Sequence, residues 1–215
     1  MQSSQVECTA VGIDGMNKQL PELGEGTVHI CVDMQKIFDT DGLWATPWMP
    51  RVLPRCVALT EHRPDATIFT RFVTPITADA AHGAWQDFYR RWPQTTRERL
   101  DASMINIVPA LARFAPPAPV FDKPVYSAFA GTKLPAFLAE RRVDTVVLSG
   151  AETDVCVLST ALGALDHGYR VIVASDAVCS FSDVGHDNLL SLFRERFSQQ
   201  IVTATVDEII DRWQA

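Results

Sequence analysis

The chain has 215 residues, of which 47% are hydrophobic and 21% charged, and its formal net charge is −7. This composition is typical of a globular protein and excludes intrinsic disorder, and the negative charge disfavours nucleic acid or an anionic membrane surface as a partner. No stretch approaches the roughly 18 apolar residues of a membrane span. We therefore expect a soluble, cytoplasmic domain over residues 27–215, preceded by an N-terminal arm or loop over residues 1–26.

Short runs of β-branched and other apolar residues recur along the chain, each bounded by polar residues, glycine or proline. They predict strands over residues 27–33, 65–71, 118–122, 144–150, 170–176 and 200–204. Helical patterns lie between and after them, over residues 48–62, 84–92, 105–114, 132–142, 153–167, 186–197 and 206–213. Apolar strands that alternate with helices are typical of a parallel sheet covered on both faces. The sequence therefore predicts a doubly wound, Rossmann-like α/β domain.

The five cysteines are scattered, and their spacing fits neither a disulfide framework nor a structural zinc site. In parallel α/β sheets the chemistry lies beyond the carboxyl ends of the strands, where Cys156 falls in the first turn of a predicted helix capped by Thr153. Free backbone N–H groups and the helix dipole favour a reactive thiolate there, although a small core residue is the alternative. Cys31 lies in the first predicted strand and Cys56 on a predicted helix, so both are expected to be packing residues. Cys8 lies in the arm, and Cys179 follows the fifth strand and is a weaker candidate.

Two charged residues follow other predicted strands and complement the thiol. Asp33 ends the first strand and has the chemistry of a general base that takes the thiol proton. Lys123 follows the third strand, where its cation would lower the pKa of the Cys156 thiol and orient the carboxylate. Taken alone, Asp33 is equally compatible with a loop or capping residue, and Lys123 with a solvated surface lysine. Together the three form a coherent set of nucleophile, base and cation at one edge of the sheet.

Three segments resemble the isochorismatase-like cysteine hydrolases, the superfamily of nicotinamidase and N-carbamoylsarcosine amidase. They are residues 32–35 (VDMQ) with Phe38, residues 122–129 (DKPVYSAF) and residues 149–157 (SGAETDVCV). The resemblance runs from about residue 27 to residue 207. It implies a three-layer α/β/α fold with a six-stranded, mostly parallel sheet of order 3-2-1-4-5-6. The site would then lie at the switch point between the first and fourth strands.

The resemblance also implies the roles of individual residues. Asp33, Lys123 and Cys156 would form the catalytic triad, and the backbone N–H groups of Glu152 and Cys156 would form the oxyanion hole. A cis peptide bond would join Ala151 to Glu152. The implied enzyme is a hydrolase that attacks an amide, ureido or carbamoyl carbonyl, releases ammonia or an amine, and passes through a thioester. It would act on a small molecule as a homodimer or homotetramer.

Departures from the family narrow this reading. Metal-bearing nicotinamidases carry an Asp-x-His cluster after the second strand, but residues 70–75 here read TRFVTP and His82 stands alone. We therefore expect no metal and no cofactor. Two alternatives remain open: the same fold hydrolysing an isochorismate-like vinyl ether or an ester, and a non-hydrolytic redox or thiol-sensor module. In the second, Cys179 is the plausible resolving partner of Cys156.

Further residues are candidates for the walls of a substrate pocket. Arg71 is placed where it could bind a carboxylate, with a surface ion pair as the alternative. The aromatic segment 84–92 could be a lid, an interface or part of the core. The complete set of pocket candidates is Gln35, Phe38, Arg71, Trp85, Tyr126 and Phe129.

Overall fold

One sheet of six strands organises the protein, in a computed structural model that describes residues 19–214. Most of the predicted arm, including Cys8, lies outside the described residues. The strands are Thr27–Val32 (β1), Thr67–Phe72 (β2), Val120–Lys123 (β3), Thr145–Ala151 (β4), Arg170–Cys179 (β5) and Ile201–Ala204 (β6). Their order is β3-β2-β1-β4-β5-β6, and all five neighbouring pairs are parallel. The predicted fold and strand order are confirmed.

Helices cover both faces of the sheet and create two separate cores. They are Met49–His62 (α1), Ala84–Arg91 (α2), Pro109–Ala112 (α3), Leu134–Glu140 (α4), Leu158–Asp166 (α5), Asp183–Glu195 (α6) and Val206–Arg212 (α7). The first core packs α1, α2, α3 and α7 against one face, and the second packs α4, α5 and α6 against the other. All residues of the central strands β1 and β4 are buried, as continuous apolar runs predict. No helix within residues 19–214 is long and apolar enough to cross a membrane.

Three predicted elements differ from the structure. The helix expected over residues 105–114 is a 3₁₀ turn, Ala102–Ile105, followed by the four-residue α3, because a proline at 109 lacks an N–H and suits the first helical position. β5 continues three residues beyond the expected 176, so Cys179 lies at its end rather than after it. The helix expected from residue 153 begins with a π-helical turn, Thr153–Val157, and becomes α-helical at Leu158.

The last residues before β1 pack on the domain instead of standing apart from it. Leu23 is buried, and its N–H donates to the carbonyl of Arg212 at 2.9 Å. Glu22 forms an ion pair with the same arginine. Residues 19–26 form neither helix nor strand, and they tie the start of β1 to the end of α7.

Candidate active site

The three residues predicted to form a triad come from three strand ends on one edge of the sheet. Asp33 follows β1, Lys123 is the last residue of β3, and Cys156 lies in the π-helical turn after β4. Nζ of Lys123 lies 2.7 Å from Oδ2 of Asp33, and both side chains have an exposed fraction of 0%. Cys156 is also buried, and its thiol interacts with both charged groups. The structure therefore brings the three residues together around a buried ion pair.

A threonine of β2 fixes the Asp33 carboxylate. The hydroxyl of Thr70 donates to Oδ1 of Asp33 at 2.6 Å and accepts from the Asp33 N–H at 3.2 Å. Asp33 has a φ of 48°, a left-handed conformation that aspartate tolerates better than most residues. Its Oδ2 has Lys123 as a charge partner but accepts no hydrogen bond of good geometry from any residue of the described chain. That oxygen is the acceptor available to a thiol proton.

Lys123 is held in place by its own loop. Its Nζ donates to the carbonyls of Val125 at 3.1 Å and Tyr126 at 2.9 Å, and it lies 5.0 Å from the centre of the Phe72 ring. Burial lowers the pKa of Lys123, but its interactions with Asp33 and Cys156 more than offset that effect, so its pKa lies above the ordinary value. The lysine therefore stays cationic although it is buried.

The resting state of Cys156 differs from the expected thiolate. Burial raises its pKa, the Asp33 carboxylate raises it further, and the opposing effect of Lys123 is too small to compensate. The pKa of the thiol therefore lies well above its ordinary value. The helix dipole and the lysine do not ionise Cys156 by themselves, so a nucleophilic thiolate needs a base at the moment of attack.

The π-helical turn changes the hydrogen bonding around the cysteine. The carbonyl of Glu152 accepts from the N–H groups of Val155 at 3.1 Å and Val157 at 3.0 Å. In an α-helix the same carbonyl would accept from Cys156. The turn thus withdraws that acceptor from the Cys156 N–H. Glu152, not the predicted Thr153, is the capping residue, and the hydroxyl of Thr153 instead contacts Nδ1 of His186 at 2.9 Å.

The backbone before this turn approaches β1 closely. Gly150 has a φ of 107°, and a Cβ at this position would lie 2.0 Å from the carbonyl oxygen of Val32. Only glycine fits here, because both the conformation and the contact exclude a side chain. The next peptide bond, between Ala151 and Glu152, is cis, as the resemblance implied. Gly150 thereby sets the turn with Cys156 directly beside the chain that carries Asp33.

A cavity of about 250 Å³ opens beside the Cys156 thiol. Six aromatic residues dominate its lining: Phe38, Trp44, Phe72, Phe88, Trp92 and Tyr126. Glu152, Val155 and Cys156 complete it. Phe38 and Tyr126 were predicted at the pocket. The other four aromatic residues and the Glu152 side chain were not, although Phe88 and Trp92 lie in the aromatic segment that the sequence analysis singled out.

Four other predicted pocket residues lie elsewhere. The Gln35 amide accepts from the Phe72 N–H at 2.7 Å and donates to two backbone carbonyls, so it braces the loops. Arg71 forms a two-pronged ion pair with Asp122, at 2.7 and 2.8 Å. Phe129 packs in the second core, where its ring stacks on that of His167. Trp85 packs 4.6 Å from the Tyr126 ring and lines a neighbouring cavity of about 490 Å³ together with Lys123. The structure does not bring these four side chains to the lining of the cavity beside Cys156.

The aromatic segment 84–92 is divided between core and cavity. Tyr89 of α2 is buried, and Trp85 and Phe88 pack against the first core. Phe88 and Trp92 also line the cavity beside Cys156. The segment therefore contributes both to the first core and to the wall of the cavity.

Glu152 contributes the one carboxylate among the residues that line this cavity. Burial raises the pKa of Glu152 to about 7, and the charges of Asp154 and Asp33 add to the effect, while a hydrogen bond from the Phe181 N–H opposes it. That bond joins the Phe181 nitrogen to Oε1 at 3.3 Å. The carboxyl group thus titrates near neutrality beside the nucleophile.

The segment after β2, where metal-bearing nicotinamidases carry an Asp-x-His cluster, offers few metal ligands in this chain. Within residues 19–214, no three His, Cys, Asp or Glu side chains are placed to hold one metal ion. His82 lines a neighbouring cavity of about 490 Å³ together with Thr74 and Arg97. Thr74 lies within residues 70–75, a segment that contains no histidine.

The sheet separates Cys156 from the other described thiols. Cys31, Cys56 and Cys179 are buried in the first core, whereas Cys156 belongs to the second. All four are free. Burial raises the pKa of Cys179 to about 12, which makes its thiol inert. The expectation that Cys31 and Cys56 are packing residues is confirmed.

The model of the isochorismatase domain matches residues 27–205. The chain belongs to the isochorismatase-like hydrolase family. An uncharacterized isochorismatase family protein of Bacillus subtilis (strain 168) is 44% identical over 80 residues, which cover 37% of this chain and 44% of that protein. The matched part is therefore less than half of that relative's length.

Solved structures of the family share the whole domain. A cysteine hydrolase from Pseudomonas syringae pv. phaseolicola 1448A superposes with a TM-score of 0.74 at 26% identity and covers 86% of this chain and 91% of its own. An N-carbamoylsarcosine amidase from Thermoplasma acidophilum has a TM-score of 0.69 at 25% identity, with 84% and 96% covered. Cysteine hydrolases and amidases are thus among the structural neighbours of this isochorismatase-like hydrolase.

Proposed function

We propose that the protein is a metal-independent cysteine hydrolase that cleaves the C–N bond of a small amide, ureido or carbamoyl compound through a thioester. The observation that carries the proposal is the buried pair of Asp33 and Lys123 beside the Cys156 thiol. A buried ion pair costs solvation free energy and is weak evidence for stability, so its placement beside a nucleophile favours a chemical role. The amidase and the cysteine hydrolase among the structural neighbours support the same reaction class.

The proposed reaction begins with a neutral thiol. Asp33 accepts the proton of Cys156 as Sγ attacks the carbonyl carbon, and Lys123 keeps the carboxylate ionised until then. The N–H groups of Glu152 and Cys156 hold the oxyanion that forms. Protonated Asp33 next gives its proton to the leaving nitrogen, and ammonia or an amine departs from the thioester. Asp33 then takes a proton from a water molecule that attacks the thioester, the C–S bond breaks to release the acid, and Asp33 returns the proton to Sγ of Cys156.

The test compares two buried cysteines. Cys156→Ala is expected to lower ammonia release from small amides by more than about a thousandfold, because the nucleophile is lost. Cys179→Ala, a matched substitution in the opposite core, should retain turnover. Mass spectrometry of the wild-type protein, quenched during turnover, should detect an acyl adduct on Cys156. Full activity in Cys156→Ala would refute the proposal.

Two alternatives give different results in the same experiments. Cleavage of a vinyl ether or an ester would release neither ammonia nor amine. A thiol sensor would react with peroxide and form a disulfide, but the raised pKa of Cys156 and the position of Cys179 across the sheet disfavour it. Protection of Cys156 from iodoacetamide by peroxide, in the absence of turnover, would favour the sensor.

The proposal also covers the location, the assembly and the cofactor requirement of the protein. We propose a cytoplasmic homodimer or homotetramer that binds a small molecule and needs neither metal nor cofactor. Light scattering on the purified protein should give two or four times the chain mass of 23.8 kDa. A single-chain mass would refute the assembly, and activity that chelators abolish would refute metal independence.

A further inference from the structure

We propose that the cavity beside Cys156 selects amides that carry a positive charge, such as a quaternary or protonated amine, close to the scissile carbonyl. The inference rests on the proposed amide hydrolysis and adds the substrate class. Two independent features carry it: the aromatic surface of the cavity and the sign of the charge on its lining.

The aromatic surface is continuous. Trp44 stands at its centre, with ring centres 5.9 Å from Phe38, 6.0 Å from Phe72 and 5.9 Å from Phe88. Tyr126 extends it from Phe72 at 6.4 Å. The faces of aromatic rings attract cations, and several rings around one small space form the cage that recognises quaternary ammonium groups. A neutral apolar group would gain burial there but not this attraction.

The charge of the lining has one sign. The Asp33 carboxylate is compensated by Lys123 at 2.7 Å, and the Cys156 thiol is neutral. Glu152 is then the remaining acid of the lining, and the described lining residues include no arginine, lysine or histidine. Arg71, the one predicted carboxylate-binding group, is occupied by Asp122. Within this cavity an anionic substrate meets no cationic side chain, whereas a cation meets the Glu152 carboxyl group next to Cys156 and favours its ionised form.

The cavity volume allows a direct comparison of charge at constant shape. About 250 Å³ accommodates an amide of a few heavy atoms. Trimethylammonioacetamide and 3,3-dimethylbutanamide have the same shape and differ by one positive charge, because a nitrogen replaces a carbon. Malonamate serves as the anionic probe. The ratio of kcat/KM for the first two probes isolates the contribution of the charge, since shape and leaving group cancel.

The wild-type protein should prefer the cationic probe over its neutral isostere by about tenfold or more, as a cation–π contact and one nearby carboxylate predict. Malonamate should be the poorest of the three. Glu152→Gln keeps the backbone N–H and the size of the side chain, and it should lower the preference several-fold. Trp44→Leu should lower it independently. Asp166→Asn is the control: it removes an acidic charge from the exposed end of α5, away from the cavity lining, and it should preserve the ratio.

Binding gives a readout that does not depend on turnover. Titration of Cys156→Ala by calorimetry should show the same order of affinities, with the cationic amide bound about tenfold more tightly than its isostere. Equal affinities and equal kcat/KM values for the two isosteres, or a preference for malonamate, would overturn the inference while leaving amide hydrolysis intact. Cationic preference in binding without ammonia release from any amide would instead overturn the proposed function and leave the selectivity standing.

Discussion

Replacement of Asp33 by Asn tests whether the charge of Lys123 depends on its partner. The substitution keeps the shape of the side chain but leaves a buried ammonium, with an exposed fraction of 0%, without its counter-ion at 2.7 Å. Breaking a buried ion pair on one side costs about 3–5 kcal/mol. The lysine can avoid the full cost by losing its proton. Its ordinary pKa of 10.5 limits the penalty to about 5 kcal/mol at pH 7, since one pKa unit is worth about 1.4 kcal/mol.

This limit gives the variant a characteristic pH dependence. In Asp33→Asn the folded protein holds a neutral lysine, whereas the unfolded chain holds a protonated one below pH 10.5. The unfolded state then binds more protons, so the stability of the variant rises with pH. In the wild-type protein the raised lysine pKa makes this contribution flat between pH 7 and 9. The destabilisation by Asp33→Asn should therefore fall by up to about 1.4 kcal/mol per pH unit over that interval.

Urea unfolding followed by tryptophan fluorescence measures these differences. The double variant Asp33→Asn/Lys123→Met removes both charges and should recover at least about 2 kcal/mol of the loss, although the carbonyls of Val125 and Tyr126 lose their donor. Lys123→Met alone completes the cycle, and all three variants should lack turnover. The idea of a buried, mutually dependent ion pair would be refuted by either of two results. One is a destabilisation by Asp33→Asn that stays below about 1 kcal/mol and does not change with pH. The other is a double variant whose loss of stability equals the sum of the losses in the two single variants.

Three further predictions concern residues around the site. Gly150→Ala should destabilise the protein by about 3 kcal/mol or more in thermal unfolding, because the new Cβ meets a β1 carbonyl at 2.0 Å, and a normal melting temperature would contradict this. Thr70→Val removes the donor to the Asp33 carboxylate and should lower kcat about tenfold, with Thr67→Val on the same strand as the control. Burial lowers the pKa of His29 to about 3 from 6.5, so the wild-type protein should lose about 1.4 kcal/mol of stability per pH unit to His29 as the pH falls from 6.5 towards 3. His29→Gln should lose that part of the acid sensitivity in urea titrations, and unchanged sensitivity would show that His29 is not responsible.

The positions of the chemical groups followed from local sequence pattern and one geometric rule. Continuous apolar runs predict buried parallel strands, and parallel strands bring their carboxyl ends to the same edge. Asp33 and Lys123 end two such runs, and Cys156 follows a third, so their convergence was predictable. The sheet order came from the resemblance to a family.

The walls of the site were less predictable, because they depend on how loops pack. Trp44 stands in a segment without period, and no pattern there indicates which way its ring turns. Lys123 ends β3 and Phe129 follows soon after it, yet the Phe129 ring packs into the second core and not into the cavity lining. The π-helical turn at Thr153–Val157 escapes notice because its apolar spacing is close to that of an α-helix. The protonation state of the Cys156 thiol could not be predicted from the sequence, because it depends on the burial of the whole site.

The polar residues and the aromatic walls of the site come from different parts of the fold, and this affects how the protein can evolve. Asp33, Lys123 and Cys156 lie at the ends of strands that are hydrogen-bonded to their neighbours in the sheet. Much of the aromatic lining comes instead from the chain before α1, from α2 and from the residue after α2. Substitutions or length changes in those two segments would change the aromatic lining without displacing the strand ends that hold Asp33, Lys123 and Cys156. In a chain built this way, the shape of the cavity can change while the three proposed reacting groups keep their positions. For protein engineering, the two aromatic segments can be randomised while the strand ends are kept unchanged.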